Sequence, residues 1–66
     1  MSEIEAFKAE VERFIETHNL NPTQFGKTFA GDPLFVFQLR DGREPRTATR
    51  QKISAAMSEF EKGAAA

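Results

Sequence analysis

Arginines stand at positions 40, 43, 46 and 50, followed by Lys52, and they come directly after a run, Leu34 to Leu39, in which Gln38 is the one polar side chain. A guanidinium keeps its charge at any physiological pH and offers a fork of N–H donors, so this spacing is suited to phosphate oxygens. Gln38 carries an amide that both donates and accepts, the pair of functions that matches the edge of adenine, and Leu34 can meet a thymine methyl group. Asn21, Thr23 and Gln24 precede or open a predicted helix, where polar side chains and free backbone N–H groups add further phosphate contacts.

Other chemistry finds little support. The single histidine, His18, has no neighbouring set of three or four ligands, so a capping or solvated role is expected and no metal. Glu10, Glu12 and Glu16 have helical spacing but no pocket in prospect, which reads as a charged outer face rather than an acid/base pair. No glycine loop fit to cradle phosphates is present. The expectation is a protein that is not an enzyme and takes no cofactor.

Sixty-six residues make one domain with one core, read here as residues 1–63 with a frayed tail at 64–66. Without cysteine, neither a disulfide nor a thiolate metal site can staple the chain, and helix packing must supply the stability. The longest apolar run, Leu34 to Phe37, is far short of a membrane span, and no basic segment with an apolar core forms a leader, so a cytoplasmic location is expected. Net charge is only −1, yet it is unevenly placed. Residues 1–20 carry Glu3, Glu5, Glu10, Glu12 and Glu16 against Lys8 and Arg13, a net of −3, whereas the five cations of residues 40–52 face Asp41 and Glu44, a net of +3. A chain polarised in this way can steer a polyanion to one face.

The elements that must position these residues are helices. Ser2 with Glu5 spells a capping box, and Ile4, Phe7, Val11, Phe14 and Ile15 repeat at helical spacing in a first helix. Asn21-Pro22 is an N-cap followed by proline at the first helical position, and it opens a short second helix with Phe25 and Phe29 on one side and Gly31 as its stop. Asp32-Pro33 repeats the signal and predicts a third helix from Pro33 to about Asp41, closed by Gly42. At 100° per residue Val36 and Leu39 face inward, Phe35 lies at the boundary, and Leu34, Phe37, Gln38 and Asp41 point outward. A loop with Pro45 leads to a last helix with Thr49, Ile53, Ala56, Met57 and Phe60 in a stripe, and Gly63 is expected to end it. No alternating strand pattern is present. The fold class is therefore all-α, a compact bundle of four helices in which the second and third meet at a tight turn.

Gly26 inside the second helix costs about 1 kcal/mol relative to alanine, so its presence implies a neighbour too close for a side chain. From Leu20 to Met57 the chain resembles the phage-repressor and Cro-type, or lambda-repressor-like, helix-turn-helix regulators. The resemblance rests on Gly26 where that pattern has a small residue, the apolar pair Val36 and Leu39, Gly42 closing the helix, Pro45 soon after, and the spacing of Ile53 and Met57. The turn glycine of the pattern aligns with Ala30, whereas glycine stands here one place later, at Gly31, and Pro33 and Leu34 replace the polar residues with which such recognition helices often begin. More narrowly, "GDPLFVFQLRDGREPR" is similar to a stretch in small proteins of alphaproteobacteria and their phages that are classed as regulators.

The resemblance implies a transcriptional regulator that inserts helix 33–41 into the major groove of duplex DNA, with Leu34 and Gln38 at base edges. Asn21, Thr23, Gln24, Arg40, Arg43, Arg46 and Arg50 would lie on phosphates. It also implies a bacterial or phage-encoded protein, nucleoid-associated when bound. One such module makes few base contacts, so a weak homodimer, or pairing on DNA, is expected. The alternative is a protein-interaction module on the same scaffold, with Phe35, Phe37 and Phe60 as interface candidates and a regulator or polymerase subunit as the partner, because a fold does not fix its function.

Overall fold

The computed structural model describes residues 2–65, and it holds four helices and no strand among them. Helix α1 spans Glu3–Thr17. Ser2 begins it by accepting the Glu5 N–H on its hydroxyl, 3.2 Å away, and the acids Glu3 and Glu5 sit in the first turn where the helix dipole favours them. The helix ends because Asn19 takes a left-handed conformation, φ 54°. The Leu20 N–H then reaches back to the Ile15 carbonyl at 2.9 Å and the Asn19 N–H to Glu16 at 3.3 Å, which is the Schellman pattern.

Helix α2 covers Pro22–Phe25 and continues without a break as a π-helical turn over Gly26–Ala30. Its start is the predicted one: Asn21 Oδ1 accepts from the Gln24 N–H at 2.7 Å while Gln24 Oε1 accepts from the Asn21 N–H at 3.3 Å. The π turn was not legible in the apolar spacing. In it the Gly26 carbonyl accepts from the Gly31 N–H five residues on, and from the Asp32 N–H at 3.0 Å, while Gly31 turns left-handed at φ 68°. A π turn takes up one residue more than an α turn. That matches the glycine standing at 31 rather than at 30.

Helix α3 covers Phe35–Arg40, so it starts two residues later than predicted. Asp32 does cap the segment, its Oδ1 accepting the Leu34 N–H at 2.9 Å, but the first turn is a three-residue one, closed by the Phe35 N–H donating to the Asp32 carbonyl at 3.1 Å. Pro33 has no N–H to contribute and Leu34 sits at ψ 0°, so Pro33 and Leu34 form a turn rather than the first helical residues. Gly42 ends α3 as expected, at φ 101°. Helix α4 runs Thr47–Ala65, which corrects the expected stop at Gly63. A glycine that stops a helix commonly does so by taking a positive φ, as Gly31 and Gly42 do, and Gly63 does not. Of the expected frayed tail, Ala66 lies outside the described residues.

The core gathers Phe7, Val11, Phe14 and Ile15 of α1, Phe25 and Phe29 of α2, Val36 and Leu39 of α3, and Ile53 and Met57 of α4. Each helix thus buries the centre of the stripe its spacing predicted, while Ile4 and Thr49 are half-buried and Phe60, also placed in the α4 stripe, stays exposed. Leu20, Ala30, Phe35 and Ala56 pack against this cluster from its margins. No helix among the described residues is long and apolar enough to cross a membrane.

Candidate nucleic-acid interface

Helix α3 turns Val36 and Leu39 into the core and leaves its other side open. Leu34 is 56% exposed and Phe37 45%, which is unusual for side chains of this size and makes the outward face the most conspicuous surface of the molecule. Phe35, by contrast, is half-buried and meets Phe7 edge to face at 6.4 Å between ring centroids. It packs the helix down. Phe60 keeps 41% exposure, but its ring lies 5.5 Å from Phe14, 5.8 Å from Phe29 and 5.0 Å from His18.

Gln38 is half-buried and does not stand alone. Its Oε1 accepts a 2.6 Å hydrogen bond from Arg43 Nη1, charge-assisted because the donor is a guanidinium. Both residues line a groove of about 440 Å³ between α3 and the loop at 43–46, together with Arg46, Pro45 and Glu44. Arg46 is exposed and, like Lys52, has no ion-pair partner among the described residues.

Arg40 and Arg50, the other two cations of residues 40–52, are engaged within the fold. Arg40 forms a two-point pair with Glu12 of α1, Nε to Oε2 at 2.9 Å and Nη2 to Oε1 at 2.8 Å, and its guanidinium carbon lies 6.0 Å from the Phe37 ring centroid. Arg50 donates to the Pro45 carbonyl at 3.2 Å, to Thr47 Oγ1 at 3.1 Å and to Glu3 at 3.4 Å, tying the loop and the start of α4 to the start of α1. The opposite charges of the two ends of the sequence therefore partly meet each other. Sequence spacing missed Glu12 and Glu3 as partners, because they lie 28 and 47 residues away. On α2, Asn21 and Gln24 are occupied in their reciprocal cap, and Thr23 is exposed.

His18 caps α1, with its ring 4.4 Å from Phe14, and its Nε2 is buried without a hydrogen bond, 3.8 Å from a Glu61 oxygen. No cluster of three metal-binding side chains occurs among the described residues.

The hydrogen bonds from Arg40 hold the Glu12 carboxyl below the usual carboxylate range, and the same bonds raise the Arg40 guanidinium. A carboxyl depressed in the folded state stabilises the fold above its unfolded pKa, and that contribution is lost as pH falls through the folded value. With the two side chains 38% and 42% exposed, solvent screening limits it to about 1 kcal/mol or less. Glu12→Gln should therefore melt a few degrees below the wild type at pH 7, at roughly 4–8 °C per kcal/mol for a domain of this size, and the two should converge at acid pH. A gap that persists unchanged at acid pH would mean that the pair acts through packing and not through its charge.

Compared with family models, curated proteins and solved structures, the chain matches none of them.

Proposed function

We propose that this domain binds duplex DNA and regulates transcription, presenting the outward side of α3 to the major groove. The observation that carries the reading is the Gln38–Arg43 pair beside exposed Leu34: polar donors and an apolar contact on the open side of a helix whose other side is locked into the core. Such a surface joins direct readout to an immobile support. Arg46, Lys52 and Thr23 are the groups left for phosphates, while Arg40 and Arg50 act chiefly in holding α3 and the loop in place.

The exposure of Leu34 and Phe37 favours a second reading, in which the same face docks another protein. Titration of labelled random duplex at several salt concentrations separates the two. Each phosphate contact contributes roughly −0.9 to the slope of log affinity against log salt, so a few contacts should lower affinity roughly 10- to 100-fold between about 50 and 200 mM salt. Arg46→Ala should flatten the slope by about one contact. A folded sample that binds no duplex even at low salt would overturn the DNA reading in favour of protein docking.

A further inference from the structure

Helices α1 and α3 end in the same hydrogen-bond pattern, and the difference between them lies in the side chains it brings together. At the end of α1 the paired positions are Ile15 and Leu20, both part of or packed on the core. At the end of α3 they are Gln38 and Arg43: the Arg43 N–H donates to the Gln38 carbonyl at 3.0 Å, and the Gly42 N–H donates to Leu39 at 3.2 Å. The side chains of this pair then meet as well, Arg43 Nη1 on Gln38 Oε1 at 2.6 Å. An apolar contact usually accompanies this motif, and a polar pair on an open surface is a departure from it. Arg43 is thus held against Gln38 by backbone and side chain together.

We infer that Arg43 sets the base preference of Gln38 and directs it to guanine. The inference rests on the DNA reading above. A guanidinium has donors and no acceptor, so the amide atom facing it is the oxygen, and the Gln38 NH₂ group is the part left to meet a ligand. A free glutamine matches adenine by accepting from N6 and donating to N7 at once. With one lone pair of its oxygen engaged and the Arg43 guanidinium standing on that side, where it repels another donor, Gln38 and Arg43 together present mainly donors. In the major groove adenine sets its N6 donor against such an array, whereas guanine offers two adjacent acceptors, O6 and N7.

Selection of binding sites from a randomised duplex library, followed by sequencing, tests this with the wild type, Arg43→Ala and Gln38→Ala, each first shown to be helical by circular dichroism. The wild type should enrich guanine over adenine about tenfold at one position. Arg43→Ala, which frees the amide oxygen, should change that position to adenine and leave the others as they were, and Gln38→Ala should lose preference there. Adenine already selected by the wild type, or an Arg43→Ala motif identical to the wild type's with uniformly weaker binding, would overturn the role of Arg43 while leaving DNA binding intact. Enrichment of no sequence by the folded wild type would overturn both.

Discussion

Gly26→Ala should destabilise the domain by about 3 kcal/mol or more, although alanine is the better helix former. Gly26 has helical dihedrals, φ −58° and ψ −46°, so by propensity alone the substitution would gain about 1 kcal/mol. A Cβ there, however, would collide with the Asp32 carbonyl oxygen and come within 3.2 Å of two more backbone carbons, of Asp32 and Pro33. Backbone cannot rotate away as a flexible side chain can, and overpacking of this kind typically costs 1–3 kcal/mol and occasionally more. The Asp32 N–H is also bonded to the Gly26 carbonyl, so moving the turn aside breaks a bond that ties it to the end of the π turn. A domain of this length has a total stability of only roughly 3–10 kcal/mol. Gly63 serves as the control, since it lies in α4 with nothing within 4 Å of an added Cβ, and Gly63→Ala should leave the thermal midpoint unchanged or raise it. Equal midpoints for Gly26→Ala and the wild type would show that the turn between α2 and α3 is not packed as described.

The small residue at 26 was legible in the sequence because glycine in a helix needs a reason, but its neighbour was not. The sequence implied only that some neighbour comes too close for a side chain, and the close approach is to the turn backbone at Asp32 and Pro33. The caps and stops at Asn21, Gly31 and Gly42 were readable for a related reason: each depends on one residue and its immediate neighbours. So were the buried faces, since a periodic apolar stripe has only one way to be covered. What could not be read were interactions set by the closing of the chain. The π turn depends on where Gly31 and Asp32 place their N–H groups once the turn has packed on Gly26. Arg40 and Arg50 looked like free cations because the acids that hold them lie on α1, far away in sequence. The Gln38–Arg43 pair lies between these cases. Gln38, Gly42 and Arg43 stand at the positions of a Schellman motif, so their backbone contact was open to prediction, and with it the side-chain pair in which Gln38 is half-buried rather than standing free.

Phe14→Ala should leave little or no folded protein at 25 °C. Phe14 is buried at the meeting of three helices, and its ring faces Phe25 at 5.8 Å and 69°, Phe29 at 5.3 Å and 86°, and Phe60 at 5.5 Å and 65°. Truncating a buried phenylalanine costs about 3–5 kcal/mol through lost transfer energy and the cavity left behind. Three edge-to-face pairs, each worth roughly 0.5–1.5 kcal/mol beyond its buried area, are lost together and place Phe14 at the upper end of that range. A loss of that size is comparable to the whole stability of a small domain, roughly 3–10 kcal/mol. Because α2 carries the turn into α3, the open face with Leu34, Phe37 and Gln38 would lose its support at the same time, and any DNA binding should disappear with the helical signal rather than before it. Phe14→Leu separates volume from ring geometry: it keeps an apolar side chain in place and should remain folded, with a midpoint lowered by several degrees. Combined with Phe60→Ala in a double-mutant cycle, it should show a coupling of about 0.5–1.5 kcal/mol between the two rings. Strict additivity in that cycle would mean that Phe60 covers the core without a specific ring contact, and that the cluster around Phe14 is held by burial alone.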